Sequence, residues 1–164
     1  MTDRRFRLLF VCTGNTCRSP LAERIARREA GRRGWADEVD IRSAGIAAVP
    51  GQEASEGSLR VGEEEGLDLS DHRADLLTGE LARGVDLILG MSRSHVHRAA
   101  ELGADVPVAL LGDFAEDRPG EGPDVPDPWG GPVERYRETF RALEALVTRA
   151  LDRLPLPQDA GDPA

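Results

Sequence analysis

Short apolar runs alternate along the chain with longer amphipathic stretches. Residues 6–11 (FRLLFV) form a continuous apolar run, as a strand buried on both faces of a parallel sheet requires. Ser19-Pro20 suits a helix start, with serine as N-cap and proline at the first helical position. Leu21, Ala22, Ile25, Ala26 and Ala30 then recur at helical spacing up to Gly34. Val39 to Arg42 reads as a second strand ending at Ser43-Ala44-Gly45. Residues 52–65 read as a polar helix carrying Ala54, Leu59 and Val61, stopped by Gly66. Val85 to Met91 is a third strand, Ser92 to Leu102 a helix, and Val106 to Leu111 a fourth strand. Pro107 in that last run suits a strand start or edge. The Gly-, Pro- and Asp-rich segment 112–131 reads as a long loop. Pro132 opens the clearest helix, with a stripe of Val133, Tyr136, Phe140, Leu143, Val147, Ala150 and Leu154.

Strands alternating with helices predict an α/β fold with a mostly parallel sheet. In such folds ligands bind beyond the carboxyl ends of the strands. The segment from Cys12 to Ser19, after the first strand, is therefore the first place to look for chemistry.

The 164 residues suit one domain, predicted over residues 1–154, with 155–164 (PLPQDAGDPA) as a disordered tail. The two cysteines, Cys12 and Cys17, sit in one short segment, which argues against a disulfide framework and for a reducing, cytoplasmic setting. Arg4, Arg5 and Arg7 precede an apolar run too short for a secretory signal. No stretch approaches the ~20 apolar residues that span a bilayer, so no membrane partner is expected. The net charge of −9 argues against nucleic-acid binding, which requires neutralising many phosphates. All 21 basic residues are arginine, which reads as codon bias in a GC-rich genome.

The segment Cys12-Thr13-Gly14-Asn15-Thr16-Cys17-Arg18-Ser19-Pro20 carries the chemistry. Gly14 and Asn15 tolerate unusual backbone angles. A loop wrapped around an anion needs such angles so that successive N–H groups point inward. The helix that follows adds the positive end of its dipole. These surroundings favour a thiolate, the form of cysteine that attacks phosphorus. Arg18 can hold two phosphoryl oxygens with its planar fork. The loop lacks the Gly-Lys-Ser/Thr ending of a nucleotide-binding P-loop and the Gly-x-Gly-x-x-Gly of a dinucleotide site. Two cysteines can also be inert core residues. That reading leaves the clustering of cysteine, Gly-Asn, arginine and Ser-Pro at one strand end unexplained. A zinc site using Cys12, Cys17 and two of His72, His95 and His97 would need ligands from distant segments at no familiar spacing. No metal and no cofactor are expected.

The leaving group needs a proton. Asp127, between Pro126 and Pro128 on the polar loop, is the candidate acid, and burial beside Trp129 is expected to favour its protonated form. Asp113, Asp117 and Asp124 are nearby competitors.

The loop VCTGNTCRSPLAE resembles the active-site signature of the low-molecular-weight protein tyrosine phosphatase family. Ser43-Ala44-Gly45, Leu69-Ser70-Asp71-His72-Arg73, Asp86 to Met91 and Asp127-Pro128-Trp129-Gly130-Gly131 fall in the family's order, and the likeness covers about residues 6–153. The resemblance implies a three-layer fold with a four-stranded sheet flanked by helices. It implies a cysteine-dependent protein phosphatase that forms a phosphocysteine and releases inorganic phosphate from a phosphorylated protein. It assigns nucleophile to Cys12, phosphate binding to Arg18 and the loop Thr13, Gly14, Asn15, Thr16, Cys17 and Ser19, and general acid to Asp127. It places Ser43 and His72, with Asn15 and Ser19, in a supporting hydrogen-bond network. His95 and His97 are expected on a helix surface. Cys17 is either the partner in a reversible disulfide with Cys12 or a packed thiol.

Thr16 stands where many tyrosine-specific members carry an aliphatic residue, and it resembles the protein-arginine-phosphatase branch. A hydroxyl there suits a guanidinium better than a phenyl ring. Residues 46–50 (IAAVP) offer no aromatic wall. Trp129, with Thr16 the expected substrate pocket, can sandwich a ring or stack on a guanidinium. The expectation is phosphoarginine in preference to phosphotyrosine, with a phosphotyrosine-specific enzyme as the alternative. Two rivals are more distant: an arsenate reductase working with an external thiol, and a non-catalytic phosphoprotein-binding module.

Overall fold

Phe6–Cys12 forms a strand (β1) at the centre of the molecule, and its residues alternate between two cores. The structure is a computed structural model describing residues 4–158. Leu8, Phe10 and Cys12 turn to one face of the sheet, and Leu9 and Val11 to the other. Along the chain follow α1 (Arg18–Arg32), β2 (Val39–Gly45), α2 (Glu56–Glu64), α3 (Gly79–Arg83), β3 (Leu87–Gly90), α4 (Arg93–Glu101), β4 (Val108–Leu110), α5 (Leu111–Glu116) and α6 (Val133–Asp152). The sheet order is β2-β1-β3-β4 and every pairing is parallel.

The larger core lies between β1 and the helices α1, α2, α5 and α6. Trp35, Phe140, Leu21, Ile25 and Leu143 are fully buried there, each contributing roughly 1.5–3 kcal/mol of transfer free energy. The smaller core joins Leu9, Val11, Ala44 and Ile88 to Ala82 of α3 and Ala99 of α4. The register sets Cys12 beside Gly45 and Val11 beside Gly90, so the carboxyl ends of three strands meet at Cys12. The three-layer, four-stranded architecture is as expected, with a sheet that is parallel throughout.

Several local expectations need correction. Ser19 is not the N-cap of α1. The helix begins at Arg18, Cys17 stands at the cap without a side-chain bond, and the Ser19 hydroxyl is used elsewhere. The helix expected from residue 52 begins at Glu56, because Ser55 caps it by accepting from Ser58 N–H, while Gln52 pairs its carbonyl with Ala74 N–H. The long loop contains α5, whose Leu111 and Ala115 are buried and which ends at Asp117 with φ 54°. Of the expected tail, residues 159–164 lie outside the described residues. Its first part is docked: the buried Trp35 indole donates to the Pro157 carbonyl at 2.8 Å, and Leu156 packs on the larger core.

Ending the chain after Leu154 removes that acceptor and that packing. The truncated protein is expected to lose about 1–2 kcal/mol of stability. Urea denaturation followed by tryptophan fluorescence measures it, and an unchanged midpoint and slope would refute the role given to residues 155–157.

Candidate active site

Cys12 closes β1 and is 2 % exposed. Its Sγ lies 2.9 Å from Ser19 Oγ. The loop from Thr13 to Cys17 turns sharply because Asn15 adopts φ 56°, a left-handed conformation open to few residues other than glycine and asparagine. The Asn15 side chain then holds the turn it makes. Its Nδ2 donates to Ser19 Oγ at 2.8 Å and to Ser43 Oγ at 3.0 Å, and its Oδ1 accepts from Asp75 N–H at 2.9 Å. His72 Nε2–H donates to the Asn15 carbonyl at 2.7 Å. Ser43 Oγ–H donates to Glu23 Oε1 at 2.5 Å, and Glu23 pairs with Arg27 at 2.6 Å. Ser43, His72, Asn15 and Ser19 thus come together as expected. Glu23 and Asp75 join them, and the sequence reading did not single out either.

Gly45 faces this loop from β2. A Cβ there would stand 2.5 Å from the Thr13 carbonyl oxygen and 2.8 Å from Asn15 N. Only glycine lets the strand approach so closely.

The Arg18 side chain is 6 % exposed. Nη1 donates to the Val125 carbonyl at 3.0 Å and Nη2 to Thr13 Oγ1 at 3.4 Å. Asp127 Oδ2 lies 3.6 Å from Nη2. The Arg18 Nε is buried and has no partner among the described residues. A cavity of about 350 Å³ is lined by Cys12, Thr13, Thr16, Arg18, Gln52 and Asp127, with Trp129 also in its wall.

Asp127 is the one of the four candidate aspartates that lines this cavity. It is not buried beside Trp129: its side chain is 49 % exposed. Its Oδ1 accepts the Trp129 amide proton at 3.1 Å, and Trp129 itself is 72 % exposed. The proline-flanked turn directs the backbone of Trp129, not its ring, at the carboxylate. Asp117 pairs with Arg153 at 3.0 Å, and Asp124 is exposed. Asp113 ties the loop down by accepting from Gly120 N, Gly122 N and the Arg93 fork.

His95 is not on the surface, as expected from its helix, but 1 % exposed. The strand-to-helix turn at Ser92 folds it inward, and its Nε2 lies 3.0 Å from Thr13 Oγ1. Burial, with the Arg18 charge adding to it and Asp127 opposing, holds the imidazole down at about 4. His97 remains exposed on α4. Among the described residues no group of three His, Cys, Asp or Glu side chains is placed to hold a metal ion, and no helix is long and apolar enough to cross a membrane.

Both cysteines are free thiols. Cys17 Sγ donates to Ser55 Oγ at 3.2 Å and lies 3.5 Å from the Tyr136 hydroxyl. Burial, with Cys17 adding to it, pushes Tyr136 up to about 12.

Residues 7–157 match the family profile described as low molecular weight phosphotyrosine protein phosphatase. The chain is 34 % identical over 145 residues to the low molecular weight protein-tyrosine-phosphatase Wzb of Escherichia coli K12, covering 87 % of this chain and 88 % of that protein. It is 36 % identical over 149 residues to a protein-arginine-phosphatase of Bacillus subtilis, covering 90 % and 95 %. Among solved structures, the YwlE arginine phosphatase with a phosphorylated active-site serine in place of cysteine superposes with a TM-score of 0.84 at 33 % identity, over 94 % of this chain and 99 % of that one.

The Arg93 fork, aided by the Gly120 and Gly122 amides, holds Asp113 at about 2, below its ordinary 3.8. A folded-state value below the unfolded one gives stability that is complete above the unfolded value and fades as pH falls through the folded one. Asp113→Asn is therefore expected to melt below wild type at neutral pH, with the gap closing as pH falls from about 4 to about 2. Thermal melts across that range measure it; equal melting temperatures at neutral pH would refute the role of Asp113.

Proposed function

The chain belongs to the low molecular weight phosphotyrosine protein phosphatase family, and from that premise we propose that Cys12, Arg18 and Asp127 dephosphorylate protein-bound phosphoarginine in preference to phosphotyrosine. That it is a phosphatase acting on phosphoprotein follows from the family, whose named relatives are protein-tyrosine and protein-arginine phosphatases. The division of labour among its residues is the present reading.

The observation that carries it is the Arg18 guanidinium. It is buried within the same cavity as Cys12, braced by Val125 and Thr13, and its Nε has no partner. A buried charge with an unanswered donor is costly. A tetrahedral dianion bound at Cys12 answers both charge and donor.

In this reading the Cys12 sulfur attacks phosphorus and an S–P bond forms. The bond from phosphorus to the leaving oxygen or nitrogen breaks, and Asp127 gives the leaving atom its proton. A dianion between Arg18 and Asp127 replaces their present contact. It sets two negative charges face to face unless the carboxyl carries the proton it is to donate. The loop amides and Arg18 hold the equatorial oxygens as charge spreads over them. Asp127, now a base, takes a proton from water. The oxygen attacks phosphorus, the S–P bond breaks, and Cys12 leaves as thiolate with orthophosphate as product. The Ser19 hydroxyl beside Sγ stabilises that departing anion. The phosphorylated active-site serine of the YwlE variant supports a phosphoryl group carried at this position.

Thr16 supports the preference for phosphoarginine. It lines the cavity and carries a hydroxyl, and Gln52 adds a second polar group. Residues 46–50 carry no aromatic ring. A planar cation finds polar partners there and an open tryptophan face at Trp129. Phosphotyrosine is the second reading, favoured by that same ring and by the likeness to Wzb.

Parallel turnover of phosphoarginine and phosphotyrosine peptides tests the preference. The expected kcat/KM is higher on phosphoarginine; equal or higher values on phosphotyrosine would overturn it. Thr16→Ile is expected to move the ratio toward tyrosine by about tenfold. Cys12→Ser is expected to abolish turnover of both, and turnover surviving that change would sink the whole reading.

A further inference from the structure

His95 lies outside the three residues just assigned, yet its ring reaches the phosphate loop. The Ser92 backbone N–H donates to His95 Nδ1 at 3.0 Å. A main-chain amide nitrogen has only a proton to offer. Nδ1 therefore presents a lone pair, and the neutral ring carries its proton on Nε2. Burial holds the ring neutral at physiological pH. The Nε2–H thus donates to Thr13 Oγ1 at 3.0 Å. Arg18 Nη2 donates to the same oxygen at 3.4 Å. A hydroxyl has two acceptor sites and one proton. With both acceptor sites taken, the Thr13 hydroxyl can only donate. Thr13 is exposed in the cavity wall, next in sequence to Cys12.

We propose that His95 is a positioning residue whose neutral Nε2–H tautomer, set by Ser92, turns the Thr13 hydroxyl into a fixed donor toward the phosphoryl oxygens and holds Arg18 Nη2 in place through that same oxygen. This rests on the phosphatase reading above. His95 itself touches no reacting atom. It acts by removing a choice: without it, the Thr13 hydroxyl is free to rotate and to accept where the transition state needs a donor.

A histidine serving only as a helix cap would make the Ser92 contact and nothing more. Two substitutions separate the roles. His95→Asn places an amide oxygen where Nδ1 stands, so Ser92 N–H keeps its acceptor while the donor to Thr13 is lost. His95→Gln places an amide nitrogen where Nε2 stands, so Thr13 keeps its donor while the cap is lost. The Asn variant is expected to melt near wild type with kcat down about tenfold and KM changed less. The Gln variant is expected to melt lower but to keep kcat within about threefold of wild type. In a Thr13→Val background, His95→Asn is expected to add less than about twofold. Wild-type kcat in the Asn variant, or an undiminished loss in the Thr13→Val background, would overturn the proposal. Imidazole ¹⁵N shifts of the wild-type protein provide a readout independent of turnover and of variant folding. A pyridine-type Nδ1 with a pyrrole-type Nε2 is expected for His95, and a protonated Nδ1 would overturn the proposal. If wild type hydrolysed neither phosphopeptide, the phosphatase reading would fail, while the ¹⁵N shifts would still judge the tautomer.

Discussion

One carboxamide organises the loop on which the chemistry depends. Asn15 adopts a backbone conformation that costs roughly 1–2 kcal/mol for a residue with a side chain. It also occupies the crossing point of β1, β2 and the segment around residues 72–75. Three side-chain hydrogen bonds and one at its carbonyl, each worth about 1 kcal/mol net, offset the strain. Glycine would relieve the strain but forfeit the three side-chain bonds. Aspartate would lack the amide protons given to Ser19 and Ser43. The Glu23–Arg27 pair extends this hold from the buried loop to the outer face of α1.

Around that fixed loop the site divides by exposure. Cys12, Arg18, Ser19 and Asn15 are buried, and strand ends and Gly45 set their positions. Asp127 and Trp129 stand in the open on a Pro- and Gly-rich segment. That segment is held at one end by Asp113 and at another by Val125, whose carbonyl accepts from Arg18 and whose N–H donates to Met91. In the function proposed here, anion binding rests on the rigid part of the molecule, and proton transfer and substrate choice on the part with the least packing around it.

The sequence showed the rigid part best because its signals are local. An apolar run, a Gly-Asn turn, an arginine and a Ser-Pro helix start fall within fifteen residues of one another, and together they place the loop and its chemistry. Where the expectation failed, a contact outside the element itself decided. Ser19 carries the residue type of an N-cap, but the sulfur of Cys12 claims its hydroxyl. His95 carries the spacing of a surface residue, but the turn at Ser92 brings it against Thr13, 82 positions earlier. Residues 112–116 looked like loop because glycines and prolines follow them, and Leu111 like the end of a strand, yet burial of Leu111 and Ala115 made the stretch a helix. The exposed setting of Asp127 could not be read from the prolines beside it, which constrain the backbone and say nothing of what covers the side chain. For His95, a histidine three residues after a serine at a strand end was a usable signal: it is the pattern of a reciprocal helix cap.

The loop around Cys12 is made early in the chain and completed late. Asn15 waits for partners 28, 57 and 60 positions downstream, and Arg18 for one 107 positions downstream. Closing such distant loops is slow, and the bond from Arg18 cannot form until Val125 has been made. The thiol therefore leaves the ribosome long before the structure that would arm it. Competence waits for the segment around Val125, so a half-made molecule carries a cysteine but no enzyme.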